Sequence, residues 1–337
     1  MIHPSKKSMV ILMSLLFLMF IIGCYIFENP LAPVDSDLGY NYHAIDFINT
    51  YKGWAVGEKG SIFHTSNGGI TWSKQESGTN ADLVKVQFVD EDYGWIAGGG
   101  TILHTNNGGL SWTEQIADGR LSKWVISMCF VNRSKGWVRG PTEGTIYYTT
   151  NGGETWDIWE TGLGMIIDIF FVNESIGYLI HPLAYSVYKT TDGGIHWHKL
   201  SGPKHSLSNQ TIYFLNTQTG FVGTSNASSS EHDKSAIFRT DDGGNTWIEQ
   251  EIPQYSRGPT FVWKIAFANS EHGLAIAGFF QNMVAGGSLL YTKDGGNSWS
   301  KVENLSEDYF IADFSLLDED NIWALSSNGV VIKVNLY

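Results

Sequence analysis

An eight-residue phrase, Thr65-Ser66-Asn67-Gly68-Gly69-Ile70-Thr71-Trp72, returns five more times in the 337-residue chain, and recurrence at such a period marks a repeat architecture. Its tryptophans are Trp72, Trp112, Trp156, Trp197, Trp247 and Trp299, separated by 40, 44, 41, 50 and 52 residues. Each copy runs Thr, any residue, Asn or Asp, Gly, Gly, any residue, a hydroxylic residue, Trp, with His196 as the one exception at the seventh position. This is turn chemistry. The Asn or Asp side chain folds back onto backbone amides, and the paired glycines supply positive φ without a Cβ clash. The acceptor position holds Asn67, Asn107, Asn151, Asp192, Asp242 and Asp294, half amide and half carboxylate. Hydrogen-bond acceptance is required there and negative charge is not, so the position reads as a structural turn rather than as a catalytic group or calcium ligand.

A second word stands upstream of each copy. Phe47, Phe88, Phe130, Phe171, Phe214 and Phe267 each lie six residues before a glycine: Gly53, Gly94, Gly136, Gly177, Gly220 and Gly273. Two residues before those phenylalanines stand Ile45, Val86, Met128, Ile169, Ile212 and Ile265, the period-two alternation of a strand with a buried face. Each unit is therefore expected to comprise a strand ending near Phe, a polar turn, a strand opening at the Gly, a strand ending at the phrase, and a strand beginning at its Trp. Four strands in roughly forty residues make one propeller blade. The stretch from Leu316 to Trp323 repeats the frame of Phe88 to Trp95, and Val330 to Val334 follows as a third strand. The expected fold is thus all-β, a seven-bladed β-propeller of four-stranded antiparallel blades over residues 42–337.

The repeated phrase resembles the Asp-box, or BNR repeat, of sialidases, some other glycosidases, sortilin-type receptors and the photosystem II stability/assembly factor family. Gly53-Trp54-Ala55-Val56-Gly57 and Gly94-Trp95-Ile96-Ala97-Gly98, each followed by a Gly-containing turn, an Ile and the box, are most similar to the assembly-factor family. The resemblance implies a seven-bladed propeller with its boxes at outer corners, remote from the central channel, and a duty of holding a protein partner during maturation. The photosynthetic members carry an arginine-rich patch, whereas this chain has only Arg120, Arg133, Arg139, Arg239 and Arg257.

Loop lengths separate the two faces of such a propeller. The first-to-second and third-to-fourth strand turns share one face and hold constant length. The other connections vary: Gly to the box Thr spans 12, 11, 13, 13, 20 and 19 residues. Variable loops on a constant scaffold are where a fold carries function. The richest are Gly223 to Ser235, Glu251 to Val262 and Gly278 to Ser288, which bring Tyr255, Arg257, Phe279, Phe280 and Met283 toward the channel mouth as a candidate binding face. Exposed aromatics beside Arg suit protein or sugar contacts.

The N-terminus reads as an export signal: Lys6 and Lys7, an apolar run from Met9 to Ile22, then Gly23-Cys24. Ile21-Ile22-Gly23-Cys24 resembles the bacterial lipobox, implying a signal peptide over 1–23 and acylation of Cys24; a plain signal peptide or signal anchor is the alternative. Residues 24–41 read as a tether, and a part within 26–38 is expected to supply the outer strand that the seventh unit lacks. Cys129 is the second and last cysteine, so a mature lipoprotein has no disulfide. The net charge of −13 is wrong for nucleic-acid binding. The expected address is the cell envelope, the outer membrane where the cell has one, with membrane contact through the lipid anchor alone.

Catalytic signatures are weak. Sialidases as a family use three arginines, a Tyr nucleophile and acidic partners, and the family's Phe-Arg-Ile-Pro word is missing. A glycosidase needs two carboxylates about 5 to 10 Å apart, and nothing in the spacing of Glu58, Glu143, Asp168, Glu231, Asp233 and Glu251 selects a pair. His196 and His198 have no indicated third metal ligand, and Gly98-Gly99-Gly100 lacks the helix and Lys of a phosphate loop. The chain is therefore expected to be a non-enzymatic, cofactor-free and metal-free scaffold that binds a protein partner through the variable face. The alternative is a carbohydrate-binding or sialidase-like glycoside hydrolase propeller acting on a glycan.

Overall fold

The computed structural model describes residues 42–116, 127–140, 142–182, 186–203, 208–225, 235–253, 260–281, 284–303, 305, 310–326 and 328–336. The described residues form antiparallel strands and no α-helix. The first unit is β1 (Tyr42–Phe47), β2 (Gly53–Gly57), β3 (Ile62–Thr65) and β4 (Ser73–Gln75). The second is β5 (Lys85–Phe88), β6 (Gly94–Gly98), β7 (Thr101–Thr105) and β8 (Thr113–Ile116). The third is β9 (Met128–Phe130), β10 (Gly136–Arg139), β11 (Thr145–Thr149) and β12 (Asp157–Glu160). The fourth is β13 (Asp168–Phe171), β14 (Gly177–Ile180), β15 (Val187–Thr190) and β16 (His198–Leu200). The fifth is β17 (Ser208–Phe214), β18 (Gly220–Ser225), β19 (Ile237–Thr240) and β20 (Ile248–Gln250). The sixth is β21 (Thr260–Phe267), β22 (Gly273–Gln281), β23 (Val284–Thr292) and β24 (Ser300–Lys301), and the last is β25 (Ile311–Asp318), β26 (Asn321–Ser326) and β27 (Val331–Val334).

Counted by strands, these are seven units; counted by hydrogen bonding, they are six sheets. A single pair, Ser225 with Phe261, joins the fifth and sixth units into one eight-stranded sheet. The seventh unit has three strands among the described residues, and the stretch expected to complete it, within 26–38, lies outside them.

The fixed six-residue spacing has a steric origin. Phe88 and Gly94 face each other across the β5–β6 ladder. The phenylalanine ring lies flat over the glycine, so a Cβ on Gly94 would come within 2.5 Å of it. At Gly53, Gly136, Gly177, Gly220 and Gly273 the corresponding approach is 2.3 to 2.7 Å. With that face open, each ring stacks on the aromatic that opens the preceding unit's second strand. Phe88 stacks on Trp54 at 3.5 Å, Phe130 on Trp95 at 3.7 Å, Phe171 on Trp137 at 3.5 Å and Phe214 on Tyr178 at 3.5 Å. Phe267 stacks on Phe221 at 4.5 Å, and Phe47 on Trp323 at 3.8 Å. At the sixth-to-seventh junction the two equivalent positions are aliphatic, Leu274 and Leu316, which share one cluster. The box tryptophan of the same unit meets each ring edge-on, as Trp112 meets Phe88 at 6.0 Å.

The contact of Phe47 with Trp323 closes a ring, because it brings the first unit against the last. Seven apolar clusters lie between successive units, one at every junction including the last with the first. The core is therefore between sheets rather than within one, which is how a radial array buries both faces of each sheet.

The candidate functional sites: box corners, channel and variable face

The box corner is a closed hydrogen-bond unit. In the first copy Thr65 Oγ1 donates to Asn67 Oδ1 (2.9 Å) and accepts from the amides of Gly69 (2.9 Å) and Asn67 (3.3 Å). Asn67 Oδ1 also accepts from Thr71 N (2.9 Å), while its Nδ2 donates to Thr71 Oγ1 (2.9 Å). Where the acceptor is Asp the last bond reverses: Thr246 Oγ1 donates to Asp242 Oδ2 (2.6 Å) and Ser298 Oγ to Asp294 Oδ2 (2.6 Å). A hydroxyl both donates and accepts, so it completes the turn with either side chain. At the fourth box His196 takes its place, with Nδ1 2.7 Å from Asp192 Oδ2. Burial alone would raise the Asp192 carboxyl, but the hydrogen bonds from the His196 amide and ring and from Thr190 outweigh it and hold it below the usual range. The Thr246 hydroxyl and amide hold Asp242 down at about 2. Both carboxylates are spent on their own turn.

The box also latches neighbouring units. Trp95 Nε1 donates to Gly152 O (2.9 Å), Trp137 Nε1 to Gly193 O (2.9 Å) and Trp323 Nε1 to Gly68 O (2.9 Å). Trp54 and Tyr178 reach Gly108 O and Gly243 O at longer range, 3.3 and 3.4 Å. Phe221 has no donor, and at that junction Arg239 Nη1 supplies the bond to Gly295 O (2.9 Å) and another to Asn297 Oδ1 (2.7 Å). Arg239 thus serves the fold beside its box.

A central channel of about 550 Å³ is lined by the first strand of every unit. Sequence reasoning passed over most of its polar residues. Phe88 N donates to Asp46 Oδ2 (2.6 Å), Ile45 N to Asp313 Oδ2 (3.0 Å) and Ile212 N to Asp168 Oδ2 (3.0 Å). Gln87 bonds both the amide and carbonyl of Phe130 at 2.9 Å, and Lys264 Nζ bonds Phe314 O (2.6 Å) and the Asp313 carboxylate. Burial pushes the Asp46 carboxyl up to about 6, against the lowering effect of the Phe88 amide and Lys264. A signal existed: the residue one before the Phe is Asp46, Gln87, Cys129 or Tyr213 in four units, and Ser315 stands before the equivalent Leu316, and polar groups on a buried strand need partners. Cys129 Sγ lies 3.4 Å from Phe171 N, and burial drives its thiol up to about 11, leaving it unreactive.

On the variable face, one expectation is corrected. Most of the stretch from Gly278 to Ser288 is strand rather than loop: β22 runs to Gln281 and β23 starts at Val284, pairing Gly278 with Gly287, Phe279 with Gly286, Phe280 with Ala285 and Gln281 with Val284. The apolar and small residues on both sides extend the ladder rather than leave it. Phe279 and Phe280 thus have strand backbones. Tyr255, Arg257 and Met283 lie outside the described residues, as does Cys24. Among the described residues no group of three His, Cys, Asp or Glu side chains is placed to hold a metal, and no helix is long and apolar enough to cross a membrane.

A ring of antiparallel sheets with Asp-box corners on one face and unequal connections on the other defines the class: an Asp-box β-propeller. Within that class, residues 27–159 match the family model described as photosynthesis system II assembly factor YCF48. A solved YCF48 bound to a D1 peptide superposes with a TM-score of 0.68 at 18% identity, over 91% of this chain and 95% of that one. YCF48 from Cyanidioschyzon merolae gives 0.68 at 18% identity, over 88% and 96%. The GH74 xyloglucanase from Xanthomonas campestris gives 0.67 at 13% identity, over 91% of this chain and 53% of the enzyme. No curated protein sequence matches the chain. The fold is YCF48-like.

Proposed function

We propose that the protein is a non-enzymatic lipoprotein of the cell envelope, anchored through Cys24, whose variable-loop face holds a polypeptide partner during assembly or maturation. The observation that carries the polypeptide-holding role is the family match over residues 27–159, and the anchor rests on the Ile21-Ile22-Gly23-Cys24 sequence. The solved YCF48 complex with a D1 peptide supports a polypeptide as ligand for such a fold. The hydrogen bonds of Asp46, Asp168 and Asp313 support it further: these channel carboxylates hold neighbouring units together. A net charge of −13 favours a neutral or basic partner segment.

Photo-crosslinking residues placed at Thr142 or Glu143, on the connection between β10 and β11, test the face. They should trap a defined protein in cells, whereas the same residue at Leu110, on a box tip, should trap none. Adducts arising only from Leu110 would overturn the assignment. Cys24→Ala should release the protein from membranes, and unchanged retention without fatty-acid labelling of the wild type would reject the anchor.

A glycan reading is supported by the GH74 enzymes of Xanthomonas campestris and Niastella koreensis, which cover 91% and 86% of this chain. The chain spans about half of either enzyme, 53% and 52%. Measurable release of sugar from xyloglucan or a sialoside by the purified protein would favour this second reading over the scaffold.

A further inference from the structure

The side chains that face the channel work in two tiers. One residue before the Phe, or before Leu316, Asp46 bonds Phe88 N, Gln87 bonds Phe130, and Ser315 Oγ accepts from Phe47 N (2.9 Å). Three residues before it, Ser127 Oγ accepts from Ile169 N (2.9 Å), and Asp168, Lys264 and Asp313 likewise bond the next unit's backbone. Lys85 holds that place in the second unit and makes no such bond. Among the described residues its ammonium has neither a hydrogen-bond acceptor nor a salt-bridge partner. Half-buried charge is costly unless something pairs with it, so an unspent lysine on the channel wall points to an occupant.

Asp46 is its complement. Its Oδ2 is spent on Phe88 N, in the strand that carries Lys85, while its Oδ1 has no partner among the described residues. Lys264 is committed to the Asp313 carboxylate and Phe314 O, and Lys85 acts on Asp46 only through space. Burial pushes the Asp46 carboxyl up to about 6 in spite of both lysines, so a cation brought against it offsets the cost of that burial. The other two carboxylates are saturated. Asp168 accepts from Ile169 N, Thr211 Oγ1 and Ile212 N, and Asp313 from Lys264 and Ile45 N. The channel therefore keeps one unspent lysine and one unspent carboxylate, on the neighbouring strands β5 and β1.

The opposite side of the ring is aromatic. Phe170 and Tyr213 pack ring to ring at 5.0 Å and 56°, and Trp263 lines the sixth unit's side. Tyr213 OH donates to Phe267 O (3.2 Å) and Trp263 Nε1 to Ala312 O (3.4 Å), so the polar atoms of both are spent on backbone. A volume of about 550 Å³ with an apolar wall and a few convergent polar groups is that of a small-molecule site.

We propose that the channel binds an α-amino acid with a large apolar side chain, its carboxylate on Lys85, its ammonium on Asp46 and its side chain against Phe170, Tyr213 and Trp263. The two charges of such a ligand share one carbon, so they reach groups on adjoining strands together, and the ligand brings no net charge into the channel. An anion alone would leave Asp46 unpaired beside it, and a cation alone would leave Lys85. Because Asp46, Asp168 and Asp313 are held by backbone amides, the site binds without acting chemically. It is separate from the variable connections and does not rest on the reading given for them.

L-phenylalanine is the probe, titrated into the purified protein at neutral pH and followed by ligand-observed NMR. Binding with Kd of about 1 mM or tighter is expected for a ligand of this size. N-acetyl-L-phenylalanine lacks the cation and L-phenylalaninamide lacks the carboxylate; each should bind at least about tenfold more weakly, since each loses a charge-assisted bond. Lys85→Met should weaken L-phenylalanine by a similar factor and leave the amide unchanged, at an unaltered melting temperature. Asp46→Asn should weaken L-phenylalanine and leave the acetyl form unchanged. Ala266→Tyr gives the sixth unit the residue that the fifth carries at the same place, and should fill the channel and abolish binding. The proposal is overturned by no saturable binding of L-phenylalanine, L-leucine or L-methionine, or by equal binding of the acetylated or amidated probe. Binding that survives Ala266→Tyr, or both charge variants, places the ligand elsewhere and overturns it too. Such a failure leaves the polypeptide reading intact, because the crosslinks at Thr142 and Glu143 do not involve the channel.

Discussion

Gly136→Ala tests the physical basis of the repeat. Its ladder partner is Phe130, whose ring a new Cβ would approach to 2.3 Å, more than 1 Å inside ordinary contact. The backbone at Gly136 is outside the left-handed region, so the substitution introduces a clash without φ strain. Relief requires the Phe130 ring to leave Trp95, on which it stacks at 3.7 Å and 8°, and to tilt against Trp156. Overpacking costs about 1 to 3 kcal/mol, and loss of part of the stack about 0.5 to 1.5 kcal/mol more. Alanine recovers about 0.4 to 1 kcal/mol by restricting the unfolded chain. The expected net loss is about 2 kcal/mol, read as a lower denaturation midpoint in urea. The control is a double-mutant cycle with Phe130→Ala, which removes the ring that clashes. Gly136→Ala should then cost little, giving a coupling of over about 1 kcal/mol between the sites. A loss below about 0.5 kcal/mol with Phe130 present, or full additivity, would refute the steric origin of the six-residue spacing.

Three further outcomes follow from single hydrogen-bond sets. Asn107→Asp should leave stability within about 0.5 kcal/mol because Ser111 can reverse its bond, whereas Asn107→Ala should cost about 1 kcal/mol by thermal melting. Arg239→Met should cost about 1 to 2 kcal/mol, since Gly295 O loses its inter-blade donor; Phe221→Trp in that background should restore part of it. Asp46, raised in the folded state, contributes stability below the unfolded value of 3.8 that is lost as pH rises through about 6. Its upper bound is about 3 kcal/mol, and because the residue is only partly buried from solvent the contribution is discounted to the order of 1 kcal/mol. Asp46→Asn should accordingly flatten the stability profile between pH 4 and 6, and an unaltered profile would count against the raised carboxyl.

The strand boundaries were legible because their determinants are local. Each of the first six units begins with a strand that ends at the predicted Phe, and the next opens at the predicted Gly, since ring and glycine face each other in one ladder. The box was legible for the same reason: its donors and acceptors lie within eight residues. The Gly278 to Ser288 stretch misled because a long interval between Gly273 and the box Thr292 was read as a long connection, whereas the added residues lengthen the pairing of β22 with β23. Asp46, Asp313 and Lys264 were illegible as a group, for Ile45 and Asp313 are 268 positions apart and meet only where the ring closes.

The sequence by itself determined the repeat, its strands and its turns, because hydrogen bonding within a box and sterics within a hairpin act over a few residues. The tertiary structure alone decided which ring stacks on which tryptophan, that Arg239 replaces an absent indole donor, and that the channel's charges bind neighbouring backbones. Those choices depend on packing between units tens to hundreds of residues apart, and such proximity exists only once the sheets have closed into a ring.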